Sequence, residues 1–308
     1  MLIDSSLQLI ENTPLIELRN IDCGSGRIFG KAEFIQPGGS VKDRAALHII
    51  QDAYKSGVLE AGQPVVEMTS GNMGAGLAVV CNMFGNPFTA VMSQGNSAAR
   101  VKMLEGFGAR VILVPQVDGA HGQVTGKDIE AATHAAISLA DEQGAFYVDQ
   151  FNNPSSVAAH YRSTGPEIWS DLNVSLTAYI AAAGSGGTFT GTSKYLKEKN
   201  PNIFCATVEP AGSQVLAGKP VTDPKHLIQG IGYGIPLPHW ESALVDDYLI
   251  VTDDEAVHYR QLLAENEGLY VGYSAAANVC ASVKLIESGR VGSEPLIATI
   301  LCDTGLKY

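Results

Sequence analysis

Short runs of β-branched and other apolar residues alternate with longer helical patterns along this chain, and that rhythm narrows its fold more than any other feature. Val65-Val66-Glu67-Met68 precedes a small-residue helical pattern from about Asn72 to Asn82, Phe88 to Met92 precedes one from Ser97 to Gly106, and Arg110 to Val114 precedes Lys127 to Asp141. The rhythm then resumes with Ala178 to Ala182 and a helix after Thr188, and with Phe204 to Val208. Leu249 to Val251 leads into a helix opened by the capping box Thr252-Asp-Asp-Glu255, and Leu296 to Cys302 closes the series. Strands separated by helices join through crossovers, so they pair in parallel and the helices cover the sheet. The expected fold class is α/β, two domains each with a mainly parallel sheet flanked by helices, the two halves meeting near Asp149 to Pro154. Open sheets of this kind bind ligands beyond the carboxyl ends of their strands, so chemistry is expected where a strand runs through a loop into a helix.

Composition fits this picture. At 308 residues the chain is long enough for about two domains with cores that need no disulfide or structural metal. A net charge of −12 argues against nucleic acid or an anionic membrane as partner. No basic segment leads into an apolar run after Met1, and no run approaches the roughly 18 residues of a membrane span, so a cytoplasmic protein is expected. Cys23, Cys81, Cys205, Cys280 and Cys302 are scattered and odd in number, which suits reduced thiols. The seven histidines show no ligand spacing, and no metal is expected. Glycine is in excess, 33 residues against a typical ~7%. Much of it clusters at Gly38 and Gly39, Gly71 to Gly76, Gly184 to Gly191, Gly230 to Gly234, and Gly305.

Four junctions stand out. Pro37-Gly-Gly-Ser-Val-Lys42-Asp-Arg puts a lysine at a helix start, since Ala46, Ile49, Ile50 and Ala53 share one helical face. The positive end of the helix favours the neutral amine, the form that makes a Schiff base, although many helix-start lysines are simply solvated. Glu67-Met-Thr-Ser-Gly-Asn-Met-Gly74 is a strand, a polar turn and a helix, a turn able to hold a carboxylate but also able to serve as an ordinary cap. Gly184-Ser-Gly-Gly-Thr188 lets a phosphate approach the backbone at a helix N-terminus. It is not a Walker motif and fits G-x-G-x-x-G poorly, because Phe189 stands where the third glycine belongs. Glu209, at roughly the ~20-residue spacing of a ribose-binding acid, keeps a dinucleotide-binding oxidoreductase open as an alternative. Ile300-Leu-Cys-Asp-Thr304-Gly305 is a polar stop after an apolar strand.

A lysine nucleophile, a carboxylate cradle, a phosphate cup and a hydroxyl at a strand end together meet the needs of pyridoxal phosphate acting on an amino acid. In these motifs and their order the chain resembles the fold-type II pyridoxal phosphate enzymes (tryptophan synthase β-subunit-like), in particular the cysteine synthase (O-acetylserine sulfhydrylase) and cystathionine β-synthase group. The resemblance implies pyridoxal 5′-phosphate as cofactor, with Lys42 holding it as a Schiff base and Asn72 bonding its phenolic oxygen. It implies Gly184, Ser185, Gly186, Gly187 and Thr188 around the phosphate, and Thr304 against the pyridine nitrogen. Thr69, Ser70, Gly71, Met73 and Gln150 would take the substrate carboxylate, with Gly232 and Tyr233 facing the substrate side chain. It further implies a smaller mobile domain over 40–148 that closes on the substrate, a larger cofactor-binding domain over 1–39 and 149–308, and a homodimer.

The implied reaction is β-replacement on an activated L-serine, O-acetyl-L-serine and sulfide giving L-cysteine and acetate through an aminoacrylate; the partners are an amino acid and a small nucleophile. The chain departs from the group's pattern at Ser97-Ala-Ala-Arg100, where Ser-x-Glu-Arg is usual, at Gly272-Tyr-Ser-Ala-Ala-Ala277, and at Asp303-Thr-Gly-Leu-Lys-Tyr308. Tyr233 after Gly-Ile-Gly is more similar to the cystathionine β-synthases. These changes leave open β-elimination or other β-replacement: a cysteine desulfhydrase, a serine or threonine dehydratase, a cyanoalanine synthase or a cystathionine β-synthase-like enzyme.

Overall fold

The structure, a computed structural model, describes residues 2–118, 124–233 and 236–308; Gly234 of the fourth glycine cluster lies outside them. In chain order the elements are β1 (Leu15–Glu17), β2 (Arg27–Ala32), α1 (Lys42–Ser56), β3 (Val65–Met68), α2 (Asn72–Phe84), β4 (Phe88–Ser93) and α3 (Ala98–Gly106). There follow β5 (Arg110–Val114), α4 (Gly126–Gln143), β6 (Phe146–Tyr147), α5 (Ser155–Arg162), α6 (Thr164–Leu172), β7 (Ala178–Ala182) and α7 (Gly187–Lys199). The last are β8 (Phe204–Pro210), β9 (Asp247–Val251), α8 (Asp253–Glu267), α9 (Tyr273–Glu287) and β10 (Leu296–Leu301). The chain divides into two compact units, one of the residues up to Ile10 with Gln36–Ser156, the other of Glu11–Ile35 with Val157–Tyr308.

The first unit holds a four-stranded sheet in the order β5-β4-β3-β6, every pair parallel. Its strands are buried on both faces, so they read as unbroken apolar runs. Val65 packs with Ile49, Ile50, Leu77 and Ala78 on the α1 and α2 side, while Val66 packs with Ala136 and Ala140 of α4 on the other. α1 ends at Gly57, whose left-handed φ of 74° lets its N–H reach the carbonyls of Ala53 and Tyr54. Thr125 and Asp128 cap α4 reciprocally.

The second unit holds six strands in the order β1-β2-β10-β7-β8-β9, parallel except for β1. The strand β2 does not read as an interior strand because Arg27, Gly30 and Lys31 interrupt it. The structure shows what they do. Gly30 makes room for Leu301, and the Lys31 ammonium, 1% exposed, pairs with Glu167 at 2.8 Å. α9 is buried along almost its whole length among Ala275, Ala276, Val279 and Val283, and forms the centre of this unit's core.

α5 and α7 approach closely through Gly191, where an added Cβ would lie 2.3 Å from the carbonyl oxygen of Val157. Neither backbone can give way without moving a helix. Gly191→Ala is expected to destabilise the second unit by about 1–3 kcal/mol, the usual cost of overpacking, read as a lowered denaturation midpoint.

Candidate active site

The junctions at Thr69, Gly184 and Thr304 follow the parallel strands β3, β7 and β10 directly, whereas the Lys42 turn opens α1. In the first unit, Lys42 is the first residue of α1 and is half-buried. The turn before it is tightly bonded: the Gly39 N–H, at φ 74°, donates to the Gln36 carbonyl at 2.7 Å, and the Gly38 N–H donates to the Asp43 carboxylate. A Cβ on Gly38 would meet Asp43 Oδ1 at 2.5 Å, and one on Gly76 would meet the Asp43 Cα at 3.1 Å. These two glycines therefore seat the first turn of α1 on α2, which fixes where the Lys42 stem begins.

After β3, the Thr69 N–H donates to the Val91 carbonyl at 3.0 Å, and Thr69 Oγ1 accepts from the Gly74 N–H at 3.0 Å. This bond folds the Thr69-Ser70-Gly71 turn over the start of α2, where Asn72 is the first helical residue. The Met73 side chain points into the apolar core with Leu77, so its backbone N–H is what it can offer a ligand. Arg100, quoted in the sequence only as part of a departure, donates from Nη1 to Ser70 Oγ at 3.2 Å. Gln150 lies in the loop after β6 and is tied to the same junction: its Nε2 donates to Glu67 Oε1 at 3.0 Å and reaches the Met68 carbonyl at 3.5 Å. Glu67, 1% exposed, also accepts the Asp149 N–H at 2.9 Å. Burial pushes its carboxyl up to about 8 against the pull of these bonds.

In the second unit, Gly184, Ser185 and Gly186 join β7 to α7. Gly186 caps the helix at φ 89°, and its carbonyl accepts the Thr190 N–H at 2.9 Å. Ser185 and Thr188, at the start of the helix where the first N–H groups have no intrahelical partner, are both buried. No local pattern points to what holds Thr188. His160, 1% exposed, has Nε2 at 3.1 Å from Thr188 Oγ1 and Nδ1 at 2.9 Å from Thr164 Oγ1. Gly184 shares a hollow with Glu209, Gly232 and Tyr233. The Gly232 carbonyl accepts from Ser213 Oγ at 2.9 Å, and Tyr233 is exposed. Glu209 caps the amides of Leu216 and Ala217 at 2.8 and 3.0 Å and is occupied as a loop anchor.

Thr304 follows β10 and caps a short 3-10 turn, Oγ1 accepting the Leu306 N–H at 3.3 Å. That bond uses a lone pair and leaves the hydroxyl proton to donate. Asp303 is turned away, toward the Tyr308 hydroxyl at 2.7 Å and against Gly272. Asn278 of α9, fully buried, places the two junctions side by side: its Oδ1 accepts the Ala182 N–H and its Nδ2 donates to the Ile300 carbonyl, each at 2.8 Å. Its place as the lone amide of a helix rich in alanine was the available signal for it. A phosphate fits the loop at 184–188, with a left-handed glycine, helix N–H donors and two hydroxyls. A pyridine nitrogen, an acceptor, fits the Thr304 donor. The residues present therefore suit pyridoxal phosphate.

Glu67 gives a pH signature. A carboxyl whose folded value lies above its unfolded value of about 4.5 stabilises the fold fully below that value and loses its contribution as pH rises through about 8. Urea unfolding of the wild type measured against Glu67→Gln is expected to show relative stability falling from pH 5 to 8 and levelling off above; a flat difference would contradict the assignment.

The comparisons agree with this chemistry. The pattern described as pyridoxal-phosphate dependent enzyme matches residues 7–303. The chain is 38% identical over 303 residues to cysteine synthase 3 of Caenorhabditis elegans, covering 97% of this chain and 87% of that protein. It is 34% identical over 303 residues to the O-acetylserine dependent cystathionine beta-synthase of Bacillus subtilis, covering 98% and 94%. The crystal structure of a hydrogen sulfide-producing enzyme from Fusobacterium nucleatum matches it with a TM-score of 0.91 and 35% identity, over 100% of this chain and 98% of that one. The dinucleotide reading falls with these matches and with the engagement of Glu209: the chain belongs to the pyridoxal-phosphate dependent enzyme family, and pyridoxal phosphate is its cofactor.

Proposed function

We propose that this protein is a cysteine synthase, replacing the acetate of O-acetyl-L-serine by sulfide to give L-cysteine. The observation that carries the reading is the neutral hydroxyl of Thr304, with its proton available, at the strand end where the resemblance puts the ring nitrogen. Bound pyridoxal phosphate withdraws electrons from the substrate α-carbon. A hydroxyl cannot keep a pyridine nitrogen protonated as a carboxylate would, so that withdrawal stays weak. Expulsion of a β-leaving group is then favoured over reactions that need lasting charge at the α-carbon. The names of the relatives point the same way.

In this reading Lys42 would hold the cofactor, and its Nζ, when not so engaged, would take the substrate α-proton as general base. Residues 184–188 take the phosphate and Asn72 the phenolic oxygen. Thr69, Ser70, Gly71, the Met73 N–H and Gln150 hold the substrate carboxylate, and Gly232 and Tyr233 meet the side chain. The segment 40–148 closes to exclude water. The working form is a cytoplasmic homodimer. Among the described residues no helix is long and apolar enough to cross a membrane.

A second reading, β-elimination releasing sulfide from cysteine, is favoured by the match to a hydrogen sulfide-producing enzyme. Supplying O-acetylserine and sulfide is expected to give cysteine at a rate well above pyruvate release; pyruvate and ammonia as sole products from every donor would overturn the synthase. Lys42→Ala is expected to lose turnover by at least ~10³-fold, as when a covalent nucleophile and base is removed, together with the borohydride-reducible absorbance band. Gly186→Ala, strained at φ 89°, is expected to bind pyridoxal phosphate about tenfold more weakly, measured by fluorescence titration of the apoenzyme.

A further inference from the structure

We propose that Glu67 is a positioning residue whose protonation decides which end of the Gln150 carboxamide faces the substrate, and that in alkaline solution binding the substrate carboxylate places one proton from solvent on Glu67. The inference rests on the reading that Gln150 meets that carboxylate.

The partners of Glu67 are an amide side chain and two backbone N–H groups, with no cation among them. Oε1 accepts Gln150 Nε2 at 3.0 Å and the Gln150 N–H at 3.5 Å, and Oε2 accepts the Asp149 N–H at 2.9 Å. An ionised carboxylate only accepts, so the Gln150 amide has to turn its NH2 toward Glu67. The second hydrogen of Nε2 is aimed at the Met68 carbonyl at 3.5 Å. Both donors of Gln150 are then directed inward and its outward atom is Oε1, an acceptor, which repels a carboxylate.

Protonating Glu67 reverses this. The acid O–H donates to Gln150 Oε1, the amide turns over about its last bond, and the NH2 faces outward as a donor to the substrate. The Asp149 and Gln150 N–H groups keep carboxyl oxygens to bond. The turned amide gives up its 3.5 Å contact with the Met68 carbonyl, and the switch needs a rotation and one proton, with no backbone rearrangement.

The surroundings place that proton within reach. Burial raises the Glu67 carboxyl to about 8, and the neighbouring charge of Asp149 acts in the same direction. Tyr147 of β6, also raised by burial, faces Glu67 as a neutral phenol. α1 carries Asp43 and Arg44, both buried, and Lys42, His48 and Asp52, half-buried, all of them partnered, while Lys55 is exposed. α2 contributes only Cys81, whose thiol burial pushes up to about 12, and β4 carries no titratable group. On α4, Asp128 is engaged in its helix cap, while Lys127, Glu130, His134, Asp141 and Glu142 are exposed. The acid form therefore thins out above about pH 8, and carboxylate affinity falls with it.

The test titrates the holoenzyme with L-alanine, which has the amine and carboxylate but no leaving group, from pH 6.5 to 9.5. Kd of the wild type divided by Kd of Glu67→Gln cancels the ligand's own ionisation, because glutamine at 67 donates to Gln150 at every pH. The ratio is expected to rise about tenfold from pH 7 to pH 9, one proton's worth of competition. Calorimetry in two buffers of different ionisation heat is expected to show the wild type taking up close to one proton more than Glu67→Gln at pH 9. A ratio flat with pH overturns the inference. Gln150→Ala separates the two failures: if it weakens L-alanine while the ratio stays flat, only the role of Glu67 falls. If it leaves L-alanine binding unchanged, the carboxylate reading of Gln150 falls and takes this inference with it. Should Glu67→Gln not fold, the proton count of the wild type against Gln150→Ala decides: an excess in the wild type supports the switch, and equal counts refute it.

Discussion

In each sheet one parallel pair, β7 with β10 and β3 with β6, stops pairing before its carboxyl end, and a single buried polar side chain takes over the bonds that the ladder gives up. In the second unit β7 and β10 are in register only from Ala178 and Ile297 to Ile180 and Thr299. Beyond that, Asn278 spans from the Ala182 N–H to the Ile300 carbonyl. In the first unit β3 and β6 pair at two positions, and Glu67 then receives the N–H groups of Asp149 and Gln150. Strands that part at their ends leave a crevice, but parting exposes backbone groups that cost about 1–3 kcal/mol each if left unbonded. The buried side chain removes that cost and keeps the crevice open.

The two devices differ in a way that suits their places. Asn278 offers a donor and an acceptor and is neutral, so the spacing it sets between the phosphate loop and Thr304 does not change with pH. Glu67 offers only acceptors unless it gains a proton, and what it holds is a side chain rather than two backbones. A fixed cofactor seat and an adjustable carboxylate seat follow from that one chemical difference.

Much of this was legible in the sequence because buried parallel strands announce themselves. Val65–Met68, Arg110–Val114 and Ala178–Ala182 have the bounds that their apolar runs indicate, and Thr252 with Glu255 forms the capping box read from its spacing. The glycine and hydroxyl clusters marked the junctions for the same reason: only such residues suit a left-handed φ or a close backbone approach. What escaped were elements whose residues are explained by distant partners. β2 carries Lys31, tolerable inside only because Glu167 lies far along the chain. His160, Asn278 and Arg100 act on Thr188, on Ala182 and Ile300, and on Ser70. No local pattern encodes a contact across 22 to 96 residues.

The five thiols show a different side of the same packing. Cys23, Cys81, Cys205 and Cys280 are buried and Cys302 is half-buried, none in a disulfide. Burial pushes Cys81, Cys205 and Cys280 up to about 12, far from the thiolate that attacks disulfides and oxidants. A catalyst that works among sulfide and cysteine would otherwise be drawn into mixed disulfides whenever those thiols become oxidised. By keeping four of its five thiols in the core, the fold makes them spectators to the sulfur chemistry outside.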